Sequence, residues 1–185
     1  NVELCVTQAA LGAEAMIVIS GPEGQVAATR LPITITTVET VLTVASPSLW
    51  SPDHPTLYSA QVTLINKTPL DHTSHSFGFR SFTSQGGQMF LNGQPFYMRA
   101  ALDQDYYPQG ICTPPSVAFL EDQIHKAKAL GLNMLRCHIK VPDPRYYEVA
   151  DRLGMLIWTE IPNVGVLTDA SRRRLRETML GILQR

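Results

Sequence analysis

The sequence predicts two kinds of structure in one chain. Residues 1–84 are expected to form an antiparallel β-sandwich, and residues 85–185 are expected to alternate helices with parallel strands. In the first part, apolar and polar residues alternate with a period of two, which is typical of half-buried strands. In the second part, the order of helix, Gly and apolar strand occurs twice. This order indicates a parallel sheet, whose strands are buried on both faces.

The strands of the first part are predicted from β-branched and aromatic residues at every second position. The turn residues Gly21-Pro22-Glu23-Gly24 follow the first such run. The alternating positions are Met16 to Ile19, Ile33 with Ile35, and Tyr58, Ala60, Val62 and Leu64. Helical periodicity does not extend beyond a few residues here, so this part is expected to be all-β.

The second part begins after Gly86-Gly87 with a predicted hairpin over residues 88–101, which turns at Asn92-Gly93. Three helices are then expected from apolar spacing and from capping residues such as Asp143-Pro144. Their apolar stripes are Val117, Leu120, Ile124 and Ala127; Tyr146, Val149, Ala150 and Leu153; and Leu175, Met179, Ile182 and Leu183. Two apolar strands lie between the helices, Leu132 to His138 and Met155 to Glu160.

Composition and charge restrict the class of protein. An apolar content of 44% and a charged content of 17% are ordinary for a globular protein. The formal net charge of −1 provides no global field for nucleic acid or for an anionic membrane. No apolar run approaches the ~18 residues needed to cross a bilayer. Phosphate-binding loops and nucleophile elbows are not found, and no cofactor is expected.

The three cysteines, Cys5, Cys112 and Cys137, lack the spacing of a metal site or a disulfide framework. We expect them to be mostly buried thiols, which favours a reducing, cytoplasmic compartment.

Polar residues follow the apolar strands at the ends where a parallel α/β fold forms its site. Arg136 and His138 are two positions apart and are predicted to face one cavity, whereas Cys137 points to the other side. Trp158 and Glu160 have the same relation on the next strand. An aromatic ring beside a carboxylate suits a sugar, because the ring stacks on C–H faces and the carboxylate binds hydroxyls.

The segment Asp103-Gln104-Asp105 follows a strand predicted to end near Ala101, and it is a third candidate for the lining of a polar pocket. Each candidate has a structural alternative. Arg136 can form an ion pair with a carboxylate such as Glu160, Trp158 can belong to the core, and the Asp103–Asp105 segment can be an ordinary solvated loop.

Two other patterns are weaker. A Cys137–His138 nucleophile–base pair is disfavoured, because neighbours on a strand point to opposite faces. The segment Asp71-His72-Thr73-Ser74-His75 has a metal-like composition, but it is expected in a loop without a third group of ligands, and no metal site is expected. The arginines between residues 172 and 176 are interpreted as a solvated helix face.

Several short segments occur in an order and at spacings that are specific when taken together. They are Ser48-Leu49-Trp50-Ser51-Pro52 with Pro55-Thr56-Leu57-Tyr58; Phe77-Gly78-Phe79-Arg80; Phe90-Leu91-Asn92-Gly93-Gln94-Pro95 with Met98-Arg99; Asn133-Met134-Leu135-Arg136; and Asp151-Arg152-Leu153-Gly154 with Trp158-Thr159-Glu160. Through these segments nearly the whole chain resembles glycoside hydrolase family 2, the family of β-galactosidases, β-glucuronidases and β-mannosidases.

The resemblance implies an all-β immunoglobulin-like sandwich at 1–84 and an incomplete (β/α)₈ TIM barrel at 85–185, with the first three or so βα units. It also implies retaining hydrolysis of β-glycosides by two glutamates whose carboxyl groups lie ~5–5.5 Å apart. In the family, the acid/base glutamate follows an Asn at the end of the fourth barrel strand, and the nucleophile lies near the seventh. This chain reaches the helix after the third strand and has no Asn-Glu pair, so no catalytic residue is assigned to it.

The resemblance implies sugar-side contacts rather than catalysis for the candidate residues. These substrate-binding candidates are Asp103, Gln104, Asp105, Arg136, His138, Trp158 and Glu160. One segment departs from the family, since Leu102-Asp103-Gln104-Asp105 stands where many members carry N-R-H-(D/E). Gln104 replaces a histidine thought to contact sugar, so galactoside specificity does not follow from the resemblance.

We therefore expect a piece of a longer β-glycosidase that is inactive by itself, with a carbohydrate as the ligand of the full-length protein. An open part-barrel leaves strand edges and helix faces uncovered, which predicts self-association through the open barrel edge. The alternative is a non-catalytic carbohydrate-binding or assembly module. Neither hypothesis includes a nucleic acid or a membrane as a partner.

Overall fold

The computed structural model describes residues 1–183 and contains two compact units. The first unit consists of Asn1–Trp50 and Thr56–Arg80, and the second consists of Ser51–Pro55 and the chain from Ser81 onward. The segment Ser51–Pro55 thus belongs to the second unit, although in sequence it lies within the predicted sandwich. Gln184 and Arg185, the last residues of the predicted barrel segment, lie outside the described residues.

Within the described part of the chain, six strands form the first unit. They are β1 (Val2–Cys5), β2 (Glu14–Gly21), β3 (Gly24–Pro32), β4 (Thr37–Thr40), β5 (Tyr58–Asn66) and β6 (Thr68–Phe77). One antiparallel sheet has the order β3-β2-β5-β6, and β1 pairs antiparallel with β4 in a second sheet. The turn between β2 and β3 joins Gly21 to Gly24, as the sequence predicts.

The core of the first unit forms between these two sheets. Ile17 and Ile19 on β2 are buried together with Tyr58 and Val62 on β5, and apolar side chains of β1 pack against them. The predicted period-two pattern explains this core, because alternate side chains of a strand point to the same face.

Two expectations about the first unit are wrong. Ile33 and Ile35 do not form a strand; they lie between β3 and β4, and Ile35 is exposed. The segment Asp71–His75 is not a loop but the centre of β6, at the edge of the four-stranded sheet. Its side chains are exposed there, and an edge strand accommodates polar residues on both faces.

The second unit combines antiparallel hairpins with a parallel sheet and helices. Its described elements are β7 (Phe82–Gln85), β8 (Gln88–Leu91), β9 (Gln94–Pro95), β10 (Ala100–Asp103), α1 (Val117–Ala129), β11 (Met134–Cys137), α2 (Pro144–Leu153), β12 (Leu156–Thr159) and α3 (Asp169–Leu183). The β8–β9 hairpin turns at Asn92-Gly93 as predicted, and both residues have positive φ.

Strands β10, β11 and β12 form the predicted parallel sheet, with β11 in the centre. Helix α1 connects β10 to β11, and α2 connects β11 to β12. The buried core joins the helices to the sheet through Leu120, Ile124, Ala127, Leu135, Cys137, Tyr146, Val149 and Ala150. This sheet has three parallel strands among the described residues, and its assignment to an incomplete TIM barrel stays a prediction.

The helix ends follow from capping chemistry. The Ser116 side chain accepts a hydrogen bond from the Phe119 N–H at the start of α1, and the Asp143 carboxylate accepts one from the Arg145 N–H at the start of α2. Helix α2 ends at Gly154, which adopts a φ of 76°. The predicted third helix is present as α3, and none of its described residues is buried. No helix within residues 1–183 is long and apolar enough to cross a membrane.

The strand ends differ from the prediction at three positions that affect the candidate site. β10 extends to Asp103 instead of ending near Ala101, and β11 and β12 end at Cys137 and Thr159, one residue early. His138 and Glu160 therefore lie in the connections that follow the strands. Apolar periodicity specifies the body of a strand, whereas its end depends on ladder hydrogen bonds that the sequence does not reveal.

The cysteines also differ from the expectation. Cys137 is buried, as predicted, but Cys5 and Cys112 are exposed. The expectation of mostly buried thiols is therefore wrong for two of the three, and it followed from residue type alone.

Candidate functional site

The candidate site begins with side chains that neighbouring strands place side by side. Arg136 of β11 is in register with Leu102 of β10 and Trp158 of β12. Residues paired in a sheet point to the same face, so these three side chains lie on the face opposite the helices. The Arg136 guanidinium carbon lies 5.6 Å from the centre of the Trp158 ring, within cation–π reach. Trp158 is 51% exposed, so its ring is accessible to a ligand.

Glu160 is fixed beside this pair by two hydrogen bonds. Its carboxylate accepts one from Nε of Arg136 at 2.5 Å and one from the backbone N–H of Ile139 at 3.0 Å. The bond from Ile139, followed by that from Arg136, holds the pKa of Glu160 below its ordinary value. Ile139 has a φ of 56°, in the left-handed region that β-branched residues rarely adopt. The turn after β11 thus points the backbone N–H of Ile139 at the Glu160 carboxylate, and Ile139 adopts a strained conformation to do so.

His138 and Gln104 form a second contact at the same end of the sheet. Nε2 of Gln104 lies 3.0 Å from Nδ1 of His138. The backbone N–H of His138 donates to the carbonyl of Asp103 at 3.1 Å, which extends the β10–β11 ladder past the strand end. When its ring is protonated, His138 also contributes, after the Ile139 amide and Arg136, to lowering the pKa of the Glu160 carboxyl.

Asp103 has its partners on the helix side of the sheet. Its carboxylate accepts hydrogen bonds from the Tyr146 hydroxyl at 2.6 Å and from the Asp105 N–H at 2.7 Å. Asp103 is in register with Cys137, which packs in the core beneath the helices. The extra strand length of β10 explains this orientation, because it makes Asp103 part of the alternating strand pattern.

Asp105 is enclosed by protein groups. Its side chain is 2% exposed, forms an ion pair with Lys140 and accepts a hydrogen bond from the Tyr107 hydroxyl. Burial raises the pKa of Asp105 to about 6, and the negative charges of Asp103 and Asp143 act in the same direction. Burial lowers the pKa of Lys140. The ion pair joins the segment after β10 to the segment after β11.

The structure therefore gathers five of the seven predicted site residues into two contact groups. Arg136, Trp158 and Glu160 form one group, and Gln104 and His138 form the other. The Arg136–Glu160 ion pair, given above as an alternative, is present on the same exposed face as Trp158. The carboxylates of Asp103 and Asp105 are bound by protein partners instead, and their predicted contact with sugar stays a prediction.

Cys137 has no features of a nucleophile. Burial, and next the charge of Asp103, raises the pKa of its thiol to about 12. The side chain is fully buried in the core with Leu135 and Tyr146. A buried thiol of this kind is a packing residue, in agreement with the disfavoured Cys137–His138 pair.

Sequence reasoning did not identify three groups that hold the site. They are the backbone N–H of Ile139, the ammonium of Lys140 and the hydroxyl of Tyr146. The Ile139 amide gives no signal in a sequence, since nothing about isoleucine predicts a positive φ. Lys140 gives a weak signal, because it follows His138 at a spacing of two.

A separate groove of about 360 Å³ lies in the first unit, beside β1, β5 and β6. Its lining includes Cys5 and also Asp71, His72 and His75 of the segment with a metal-like composition. Across residues 1–183, no group of three or more His, Cys, Asp or Glu side chains is placed to hold a metal ion.

Comparison with known proteins shows which proteins combine a similar sandwich with similar parallel strands. Residues 8–80 match the family model described as Glycosyl hydrolases family 2. The predicted resemblance to glycoside hydrolase family 2 is confirmed.

The named relatives agree with this family. A "Putative beta-glucuronidase" of Formosa agariphila is 31% identical over 121 residues, which is 64% of this chain and 15% of that protein. A "Beta-galactosidase" of Aeromonas hydrophila is 32% identical over 123 residues, 64% of this chain and 12% of that protein.

A solved structure of Bacteroides uniformis beta-glucuronidase 2, covalently bound to cyclophellitol-6-carboxylate aziridine, matches with a TM-score of 0.76 at 27% identity. It covers 91% of this chain and 22% of that chain, so the match extends beyond the first unit. The chain spans less than a quarter of the length of each of these three relatives.

Proposed function

We propose that this chain is the part of a family 2 β-glycosidase in which an immunoglobulin-like sandwich is followed by the first three βα units of a TIM barrel. Its parallel strands would supply sugar-binding side chains to an active site completed by other strands of the same protein. One observation carries the proposal: the strand register places exposed Trp158 beside Arg136, whose guanidinium is paired with Glu160.

The chemistry of this face supports a carbohydrate ligand. An accessible indole ring stacks on the C–H face of a sugar, and fixed charged groups beside it bind hydroxyls. Glu160 is held in its charged form by the Ile139 amide and by Arg136, so it is a constant hydrogen-bond acceptor at neutral pH. Gln104 and His138 add polar groups at the same end of the sheet.

The resemblance implies a retaining mechanism with two glutamates, and neither is assigned to this chain. Glu160 follows the third parallel strand, a position that the family uses to bind and support the sugar. Its ion pair with Arg136 supports that role, because a general acid needs a raised pKa and the pKa of Glu160 is lowered. We therefore propose that the 185-residue chain binds sugar without hydrolysing glycosidic bonds.

Tryptophan fluorescence tests this proposal, because Trp50 is buried in the first unit and Trp158 is exposed in the second. Millimolar methyl β-glucuronide or methyl β-galactoside is expected to change the emission of the wild-type chain. The Trp158→Phe variant should lose this change, and Glu160→Gln should weaken it. p-Nitrophenyl β-glycosides should not be hydrolysed by any of these proteins.

The matched control is Trp50→Phe, which leaves Trp158 as the single tryptophan and should retain the full response. An unchanged Trp158 emission with every β-glycoside would contradict the sugar site. Release of p-nitrophenol by the wild-type chain would contradict the assignment of both catalytic glutamates to other parts of the protein.

We also propose self-association of the isolated chain through its uncovered surfaces. Leu102 and Trp158 are exposed on the sheet face, and none of the described residues of α3 is buried. Apolar groups in such positions favour contact with a second copy.

A further inference from the structure

We propose that Gln104 is a positioning residue that holds His138 in the tautomer with its proton on Nε2. The site would then present an N–H donor to an oxygen atom of the ligand. The role of that donor depends on the proposed sugar site, whereas the tautomer is a property of this chain alone.

The hydrogen-bond inventory of the two side chains leads to this tautomer. Nε2 of Gln104 lies 3.0 Å from Nδ1 of His138. The nitrogen of a glutamine amide carries two hydrogens and only donates, so Nδ1 of His138 has to accept. A neutral imidazole with an accepting Nδ1 carries its single proton on Nε2. Nε2 therefore acts as a donor at the other end of the ring.

The backbone on both sides of Gln104 is fixed by buried contacts. Asp103 is held by the Tyr146 hydroxyl at 2.6 Å, and Asp105 is held by the Lys140 ion pair and the Tyr107 hydroxyl. Gln104 is exposed between these two anchored carboxylates. This arrangement gives Asp103 and Asp105 a function that requires no contact with a ligand: they orient Gln104.

The histidine is fixed from the same side. The backbone N–H of His138 donates to the Asp103 carbonyl at 3.1 Å. Lys140, two residues further on, forms an ion pair with Asp105. The residues on both sides of Gln104 are thus bound to the segment of His138: Asp103 to His138 itself, and Asp105 to Lys140. A contact with both ends fixed loses little conformational freedom when it forms, which favours one persistent tautomer.

A donor at Nε2 complements the rest of the candidate site. Glu160 is an acceptor, and Trp158 supplies an apolar ring. A sugar hydroxyl can donate to a carboxylate and accept from an imidazole N–H, so the combination suits ligands with neighbouring hydroxyl groups.

Long-range ¹H–¹⁵N NMR correlation of the histidine rings tests the tautomer in the ¹⁵N-labelled 185-residue chain. The spectrum is recorded at about pH 8.5, roughly two units above the ordinary histidine pKa of about 6.5, so that rings are neutral. His138 is assigned with the His138→Gln variant. We expect its Nε2 to show the protonated shift and its Nδ1 the unprotonated shift.

Two substitutions of Gln104 change the expected pattern in opposite ways. Gln104→Ala removes the donor and should give a mixture of the two tautomers. Gln104→Glu supplies a carboxylate that only accepts, and should move the proton to Nδ1. The ring signals of His54 and His125, which lie elsewhere in the second unit, should stay unchanged and report that the fold is intact.

A protonated Nδ1 on His138 in the wild-type chain would overturn the inference, as would an unchanged tautomer in Gln104→Glu with intact control signals. These results are independent of sugar binding. The expected tautomer combined with an unresponsive Trp158 would contradict the proposed sugar site and leave the positioning role of Gln104 in place.

Discussion

Glu160 illustrates, at the scale of one residue, how this chain fixes a charge at a strand end. One partner is a side chain on the neighbouring strand, and the other is a backbone amide. The amide is available because Ile139 adopts a φ of 56° instead of an extended or helical conformation. The local strain of that residue is therefore coupled to the charged state of the carboxylate.

This coupling predicts that the stability of the second unit depends on Glu160 in acid. The pKa of Glu160 is lowered in the folded chain, so the folded state binds its proton later than the unfolded state does. The stabilisation is present above the ordinary glutamate pKa and is lost as the pH falls through the folded value. The urea midpoint of the wild-type chain should therefore fall more steeply below about pH 5 than that of Glu160→Gln.

Circular dichroism at 222 nm is the appropriate measurement, because all three described α-helices belong to the second unit. Asp105 has a raised pKa and acts in the opposite direction near its value of about 6, but it is present in both proteins. Glu148→Gln, at an exposed position on α2, is the control and should follow the wild-type curve. Identical pH dependence of Glu160→Gln and wild type would contradict the stabilising role of these hydrogen bonds.

At the scale of secondary-structure elements, the sequence predicts the parts that depend on periodicity and on capping. Two of the three period-two runs became strands, Asp143-Pro144 started α2, and the two apolar runs became neighbouring parallel strands. The register of those strands was not predicted, because Arg136 lies five residues after Gly131 whereas its partner Trp158 lies four residues after Gly154. The sequence predicted that the two side chains belong to strands of one parallel sheet.

Other features depend on interactions that a sequence pattern does not encode. The strand end at Asp103 depends on ladder bonds with β11, and it reverses the side to which that carboxylate points. The left-handed turn at Ile139 has no signature in residue type. The exposure of α3 depends on which surfaces are available to cover it, not on its amphipathic pattern.

Two glycines that end helices provide a matched comparison at this scale. Gly131 and Gly154 have φ angles of 80° and 76° after α1 and α2. A Cβ at Gly131 would meet no atom within 4 Å, whereas a Cβ at Gly154 would collide with the carbonyl of Pro52. The two positions share the same backbone requirement and differ in the room for a side chain.

Gly154→Ala is therefore expected to destabilise the second unit more than Gly131→Ala. Both should lose about 1–2 kcal/mol because alanine resists the left-handed conformation. Gly154→Ala should lose about 1–3 kcal/mol more, since the Pro52 backbone has to shift. Urea unfolding followed at 222 nm measures both, and equal losses would show that Pro52 does not crowd Gly154.

At the scale of the whole molecule, exposed apolar groups are expected to determine solution behaviour. Sedimentation velocity over a wide range of concentration should show the wild-type chain forming larger species as concentration rises. Leu102→Ser removes an exposed apolar group from the sheet face and should shift this equilibrium toward the monomer. The matched control is Val26→Ser, because Val26 is an exposed apolar residue of the first unit.

Only Leu102→Ser is expected to reduce self-association. An equal effect of Leu102→Ser and Val26→Ser would therefore contradict association through the sheet face. A concentration-independent monomer would contradict self-association altogether. The two glutamates that the resemblance implies are not assigned to these residues, and the relatives match the chain over only 12–15% of their length.

The position of Ser51–Pro55 has a consequence for how such a protein can be recombined. The Lys128 ammonium of α1 donates to the Pro52 carbonyl at 2.7 Å and to the Leu153 carbonyl of α2 at 2.6 Å, so Lys128 joins this short segment to α1 and α2. A gene fusion with its junction after Arg80 would leave Ser51–Pro55 with the sandwich and separate it from the α/β portion. Successful transplantation of the α/β portion onto a foreign partner therefore requires an inserted copy of five residues that lie upstream of the cut.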